Sequence, residues 1–365
     1  MSTRVLVVDD TALFRRVISD ALSGIDNVEV AGSARNGKLA LSRLATLAPD
    51  VMTLDIEMPE MNGLEVLDAL KASGSQTGVI VLSSHTLRGG ALTIRALELG
   101  AFDFVTKPEG GSVQESVLQL RSRMQPIIRA FERRKEIRSI LSGAAAKPAS
   151  ALLPPTSVHQ TPAPPRTIRR LVAPFVLIGV STGGPAALAE LLPSIPAEFK
   201  APIFIVQHMP PLFTKPLAQS LQSKCAIRVK EASDGEIAES GCAYIAPGGR
   251  HMKLAPVPPG GIMISISDDP PENNCRPSVD YLFRSAALHF PCRAVAAILT
   301  GMGNDGAQGS KLLKRRGCYT IAQDEASCVV FGMPREAILT GAVDTVAPLS
   351  KIAATIIRAV NEAGL

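Results

Sequence analysis

Val176-Leu177-Ile178-Gly179-Val180-Ser181-Thr182-Gly183-Gly184-Pro185 decides how the second half of this chain folds. Its first five residues are mostly apolar and read as a buried strand that stops at small and turn-forming residues. Pro185 then opens the helical run Ala186–Leu192. A proline suits the first helical turn, where its missing N–H costs nothing. Ser181 therefore falls at a strand-to-helix turn. The glycines after it permit positive φ and a close approach of substrate to backbone. Free N–H groups at the helix start stabilise negative charge, on a bound anion or on a developing oxyanion. The stretch alone leaves two readings open: a nucleophile on a turn, or a glycine-rich loop that closes the turn or cradles a phosphate.

A chain of 365 residues accommodates two domains, and a hydrophobic content of 46% supports real cores. Aromatic residues make up only 4% and tryptophan is absent, which argues against a base-stacking surface. The net charge of +5 is modest, with no sustained basic stripe and no helix-turn-helix pattern, so no nucleic-acid partner is expected. The opening Met1-Ser2-Thr3-Arg4-Val5 runs directly into a strand pattern, and no apolar run approaches 18 residues. The expectation is a cytoplasmic protein without signal peptide or membrane insertion. Six cysteines (225, 242, 275, 292, 318 and 328) lie in the second half without C-x-x-C spacing and are expected to be reduced thiols.

Residues 1–120 alternate strand and helix patterns. Apolar runs at Arg4–Val8, Val51–Leu54, Val79–Leu82 and Phe102–Val105 end in Asp9-Asp10, Asp55, Ser83-Ser84 and Thr106-Lys107. A further strand is expected at Val28–Ala31. Five strands alternating with helices predict a doubly wound parallel sheet, whose functional residues collect at strand carboxyl ends. Three carboxylates gathered there repel one another, and a hard cation such as Mg²⁺ relieves that cost. A lysine and a hydroxyl beside them suit phosphoryl oxygens. One such Asp alone reads better as a helix cap.

These residues, with Leu54-Asp55-Ile56-Glu57-Met58-Pro59, Asn62-Gly63 and Thr106-Lys107-Pro108, resemble response-regulator receiver domains. The resemblance covers residues 1–125 and implies a flavodoxin-like fold. It implies that Asp55 accepts a phosphoryl group from a histidine kinase. Asp9, Asp10, Asp55 and a backbone carbonyl near Glu57 would hold Mg²⁺, and Ser83 and Lys107 would contact the phosphoryl group. Ser84 is a weaker claimant for the hydroxyl role. Phe104 matches an aromatic position that reorients in many receivers.

Ser112–Ile140 reads as a helix of increasing charge, and residues 141–171, rich in Ala, Pro, Ser and Thr, read as a flexible linker. We therefore divide the chain into a receiver (1–125), a helical extension and linker (126–171) and a second α/β domain (172–365). The second domain's expected strands are Val176–Val180, Ile203–Gln207, Ala243–Ala246 and Val295–Thr300, with helical patterns between them. Three strand ends carry Ser181, His208 and Asp305. A serine needs a base in hydrogen-bond reach, and the base benefits from an orienting carboxylate. His251 and His289 are rival bases, and Asp305 alone could be a turn residue.

Gly179–Pro185, Gln207-His208-Met209, Ala246–Met252, Arg276-Pro277-Ser278-Val279-Asp280, Leu299–Gly306 and Glu325–Ala337 together resemble the CheB family of chemotaxis protein-glutamate methylesterases, a receiver joined to a Rossmann-like esterase domain. The resemblance implies Ser181 as nucleophile, His208 as base and Asp305 as orienting acid. It assigns the backbone N–H of Met302 to the oxyanion and has Thr182 help position His208. It also implies hydrolysis of glutamyl γ-methyl esters on methylated chemoreceptors, deamidation of receptor glutamines, and a chemotaxis histidine kinase as phosphodonor. Cys275 departs from the pattern, since some relatives have histidine there. The competing reading is an output domain that only binds a partner or nucleotide through its glycine-rich loop.

Overall fold

The computed structural model describes residues 2–144 and 174–364. In the first domain β1 (Thr3–Val8), α1 (Ala12–Ser23), β2 (Val28–Ala34), α2 (Gly37–Leu47), β3 (Val51–Asp55), α3 (Gly63–Ala72), β4 (Gly78–Ser83), α4 (Leu87–Glu98) and β5 (Asp103–Thr106) alternate as expected. The strands pair in parallel in the order β2-β1-β3-β4-β5. All five residues of β3 are buried, as a central parallel strand covered on both faces requires. Asn62 caps α3 in a reciprocal capping box with Glu65. Gly63 follows because a Cβ there would stand 2.5 Å from the Asp55 carbonyl oxygen.

α5 (Val113–Ala144) runs unbroken through Pro126, so the boundary drawn at residue 125 falls inside one helix. Its Glu132 accepts from the Thr3 hydroxyl and Lys135 pairs with Asp50, which ties the extension back to the receiver. The linker expected at 141–171 lies, from residue 145 onward, outside the described residues.

The second domain comprises β6 (Phe175–Val180), α6 (Gly184–Leu191), β7 (Ile203–Gln207), α7 (Thr214–Gln222), β8 (Arg228–Glu231), β9 (Cys242–Ile245), β10 (His251–Val257), β11 (Gly261–Ser267), α8 (Val279–His289), β12 (Ala294–Ile298), α9 (Ala307–Arg315), β13 (Tyr319–Gln323), α10 (Met333–Leu339), β14 (Thr345–Ala347) and α11 (Leu349–Gly364). Seven strands form a parallel sheet in the order β14-β13-β12-β6-β7-β9-β8. From β6 the chain winds outward through β7 and later returns to the other side of β6 with β12. The crevice where strand order reverses is where such sheets bind ligands. β8, β13, β14 and the antiparallel hairpin β10–β11 are additions to the strands expected from sequence.

Candidate active site and phosphoacceptor site

Val180 pairs with Gln207 in the β6–β7 register, so Ser181 and His208 leave the sheet side by side. The Gln207 side chain clamps them, its Nε2 donating to the carbonyls of both Ser181 and His208 at 3.0 Å. Gly183 takes φ 79° at the start of α6, a left-handed conformation that favours glycine. At Gly301 a Cβ would lie 2.8 Å from the Ser181 Cβ, so glycine lets the loop after β12 pass against the serine.

That loop delivers Asp305, which is buried. Its Oδ2 meets His208 Nε2 at 2.8 Å and accepts from the Val279 N–H at 2.6 Å. Its Oδ1 accepts from the Ser278 hydroxyl, the Asn273 amide and the Asp280 N–H. Burial alone would raise the Asp305 carboxyl, but His208 and these donors bring it down to about 2. Burial pushes His208 down, yet Asp305 and the Cys275 sulfur outweigh it and raise the imidazole to about 9. With Nε2 committed to Asp305, Nδ1 is the nitrogen left to handle a proton, and Cys275 Sγ stands 3.7 Å from it.

Among the described residues the Ser181 hydroxyl has no hydrogen bond to His208. Such bonds often tighten only in the substrate complex. The Met302 N–H has no intramolecular acceptor among the described residues. Sequence reasoning does not place Asn273 or Ser278 at the site, although Ser278 stands in a quoted motif, and it marks Cys275 only as a departure from the family pattern. The rival His251 is buried, with Nε2 at 3.1 Å from the Pro270 carbonyl. His289 ends α8 and packs edge-on against Phe290.

Thr182 departs from expectation. Its hydroxyl donates not toward His208 but to Asp103 Oδ2 of the receiver at 2.8 Å, because the docked receiver presents a carboxylate, the stronger acceptor. Burial in the cleft pushes the Asp103 carboxyl up to about 6, against the Thr182 and Phe104 donors. A carboxyl whose docked pKa exceeds its free value favours docking most fully below that free value. The contribution is lost as pH rises through about 6.

In the receiver, carboxylate oxygens of Asp9, Asp10 and Asp55 lie within 4.8 Å of one another. Lys107 Nζ bridges Asp55 Oδ2 at 2.7 Å and Asp9 Oδ2 at 2.8 Å. Burial and the Asp9 charge raise the Asp55 carboxyl and Lys107 opposes them, with the net direction upward. An all-oxygen cluster with that residual repulsion fits a hard divalent cation. The Glu57 side chain is turned away to Arg88, 3.4 Å off, which leaves only its backbone at the acidic cluster. Ser83 ends β4. Its hydroxyl is buried and accepts from Thr93 Oγ1 at 2.6 Å, so it is engaged toward α4 rather than toward Asp55.

The two sites are joined. A 790 Å³ cavity is lined by Ser181, Thr182 and His208 on one side and by β5 and Lys107 on the other. α4 and β5 form much of the contact. Phe104 packs on Phe213 with ring centroids 4.8 Å apart. Glu98 pairs with Lys224 at 2.6 Å and accepts from Ser220. Met302, Val329 and Val330 pack on the receiver's core. β5 thus carries Asp103 and Phe104, which touch the esterase domain, and ends beside Lys107, which touches Asp55.

The raised His208 pKa gives a testable pH dependence. A base must be neutral to accept a proton, so ester hydrolysis by a serine that His208 serves should climb about tenfold per pH unit from pH 7 and level off near the value of about 9. Initial rates, corrected for spontaneous ester hydrolysis, measure this. A profile already flat at pH 7 contradicts it.

Residues 5–117 match the response regulator receiver domain model, and residues 176–356 match the CheB methylesterase model. A protein-glutamate methylesterase/protein-glutamine glutaminase of Desulfotalea psychrophila is 48% identical over 98% of both chains. One of the same description from Halalkalibacterium halodurans is 45% identical over 97% of both. The crystal structure of the Thermotoga maritima CheB methylesterase catalytic domain is 44% identical, covers 52% of this chain and 99% of its own, and superposes with a TM-score of 0.50.

Proposed function

Because this chain belongs to the CheB methylesterase family, we propose that it hydrolyses glutamyl γ-methyl esters of chemoreceptors, releases methanol, and deamidates receptor glutamines by the same acyl transfer. The observation that supports this most is the arrangement of Ser181 beside His208 at paired strand ends, with His208 held by a buried, fully bonded Asp305.

Ser181 attacks the ester carbonyl as His208 Nδ1 takes its proton. The Nε2–Asp305 contact fixes the ring and stabilises the imidazolium. The tetrahedral oxyanion is held by the Met302 N–H. His208 then protonates the departing methoxide and next takes a proton from the water that releases the acyl group. With a glutamine substrate the leaving group is ammonia.

Asp55 is the phosphoacceptor, supplied by a chemotaxis histidine kinase. Asp9, Asp10, Asp55 and the backbone at Glu57 would hold Mg²⁺, which supplies charge neutralisation for the phosphoryl group. Lys107 would pair with the phosphoryl oxygens, and Ser83 reaches them only by leaving Thr93. These changes pull on β5, and through Asp103 and Phe104 they weaken the docked state.

Incubating the purified chain with methylated receptor membranes and a small phosphodonor tests this reading through the methanol formed. A chain that releases none with any such membrane contradicts it. A second expected result concerns Asp55→Asn, which keeps the shape but removes the acceptor oxygen. It should take up no alkali-labile phosphate from phosphodonor and Mg²⁺. Labelling at the wild-type level assigns the acceptor elsewhere.

A further inference from the structure

Cys275 stands beside the base of the esterase site, and the proposed reaction leaves it unused. It is held firmly. Its backbone forms a two-way hydrogen-bonded turn with Glu272, which is clamped in turn by Arg284 at 2.6 Å. Between them, Asn273 donates to both Asp280 and Asp305. The sulfur so placed faces the free nitrogen of His208 at 3.7 Å.

We propose that Cys275 Sγ and His208 Nδ1 form a binding site for a thiophilic divalent cation of the Zn²⁺ class, which inhibits the esterase by occupying its base. Zinc bonds of about 2.3 Å to sulfur and about 2.0 Å to nitrogen, at a tetrahedral angle, place the two donors about 3.5 Å apart. The observed 3.7 Å needs a shift of a few tenths of an ångström. Ligand atoms of Cys275, His208 and Asp305 lie within 4.8 Å of one another. Asp305 already accepts from five groups, so it serves as the outer carboxylate that orients the ligating imidazole, an arrangement common at zinc sites. Water from the cavity that His208 lines completes the coordination. On binding, the thiol and the protonated Nδ1 of His208 each release a proton to solvent as the S–metal and N–metal bonds form.

A sulfur–imidazole pair selects zinc, cobalt or copper over magnesium, so the acidic cluster at Asp55 and this site take different ions. Two protein ligands give reversible binding, which suits inhibition better than a structural role. The inhibition rests on His208 being the base, whereas the binding does not.

The test titrates Co²⁺ into the full-length chain in excess Mg²⁺ and follows the thiolate-to-cobalt charge-transfer absorbance. In parallel, Zn²⁺ is titrated against methanol release, each variant scored against its own metal-free rate. The proposal expects an absorbance that saturates at one equivalent and is lost in both Cys275→Ala and Cys275→Ser. Cys328→Ala, which changes another partly exposed thiol, should keep it. Half-inhibition by Zn²⁺ should shift at least tenfold upward in the Cys275 variants. An absorbance that is absent, or unchanged in the Cys275 variants, overturns the site. A Cys275-dependent absorbance with full methanol release at saturating Zn²⁺ keeps the site and overturns the inhibition, together with His208 as base. A chain that binds cobalt through Cys275 but never releases methanol sinks the esterase reading alone.

Discussion

A fragment beginning near residue 165 should release methanol about a hundredfold faster than the unphosphorylated full chain, and phosphodonor should activate only the full chain. The receiver and esterase domain share one cavity over Ser181 and His208, and Asp103 holds the Thr182 hydroxyl beside the serine. A docking bias of about 2.7 kcal/mol suffices for a hundredfold change. The homologous Thermotoga maritima catalytic domain has been crystallised without its receiver, so the fragment is a reasonable folding unit. A gentler variant separates docking from deletion. At Gly90 in α4 an added Cβ would lie 2.6 Å from the Leu212 carbonyl oxygen of the esterase domain. Alanine there favours the helix, and its Cβ pushes the Leu212 backbone across the interface away from α4, which weakens docking. Gly90→Ala should therefore raise basal methanol release while leaving Asp55 phosphorylation intact. Equal rates for fragment, Gly90→Ala and wild type without phosphodonor contradict inhibitory docking.

Replacing Ser181 by Ala should lower methanol release by about ten-thousandfold or more, because the acyl-enzyme can no longer form. His208→Ala should come close to the same loss. Asp305→Ala should fall short of it by roughly one to two decades, since nucleophile and base remain while the ring loses its anchor. It should also unsettle the turn before α8, as its oxygens bind Asn273, Ser278, Val279 and Asp280. Thermal unfolding separates the two effects: Ser181→Ala should melt with wild type and Asp305→Ala below it.

Both sheets were legible because their central strands are continuous apolar runs that end in chemistry-bearing residues. Arg4–Val8 into Asp9 and Val176–Val180 into Ser181 are examples. Gly179-Val180-Ser181-Thr182-Gly183 also carries the G-x-S-x-G spacing of a nucleophile elbow, a stronger signal than an undecided glycine-rich turn. β8, Arg228-Val229-Lys230-Glu231, carries little sequence signal because a short edge strand needs few apolar residues. The hairpin β10–β11 alternates buried and half-buried positions around Pro258-Pro259-Gly260, a pattern weaker than a buried run. At the site, the identities of Ser181, His208 and Asp305 could be read, but not their ring geometry. Which nitrogen of His208 meets Asp305, and that Cys275 faces the other, depends on a turn 67 residues away in the chain. The partner of Thr182 was also out of reach. Its choice of Asp103 is made by docking, which no local pattern records.

Ser181, served by His208, should be the residue that takes up the acyl group. Treating the phosphodonor-activated chain with a serine-directed phosphonofluoridate and locating the adduct by peptide mass spectrometry puts this to the test. One adduct should form, on Ser181, slowed at least a hundredfold in His208→Ala and absent in Ser181→Ala, with methanol release falling in step with labelling. An adduct on another residue, or full labelling with methanol release undiminished, contradicts it.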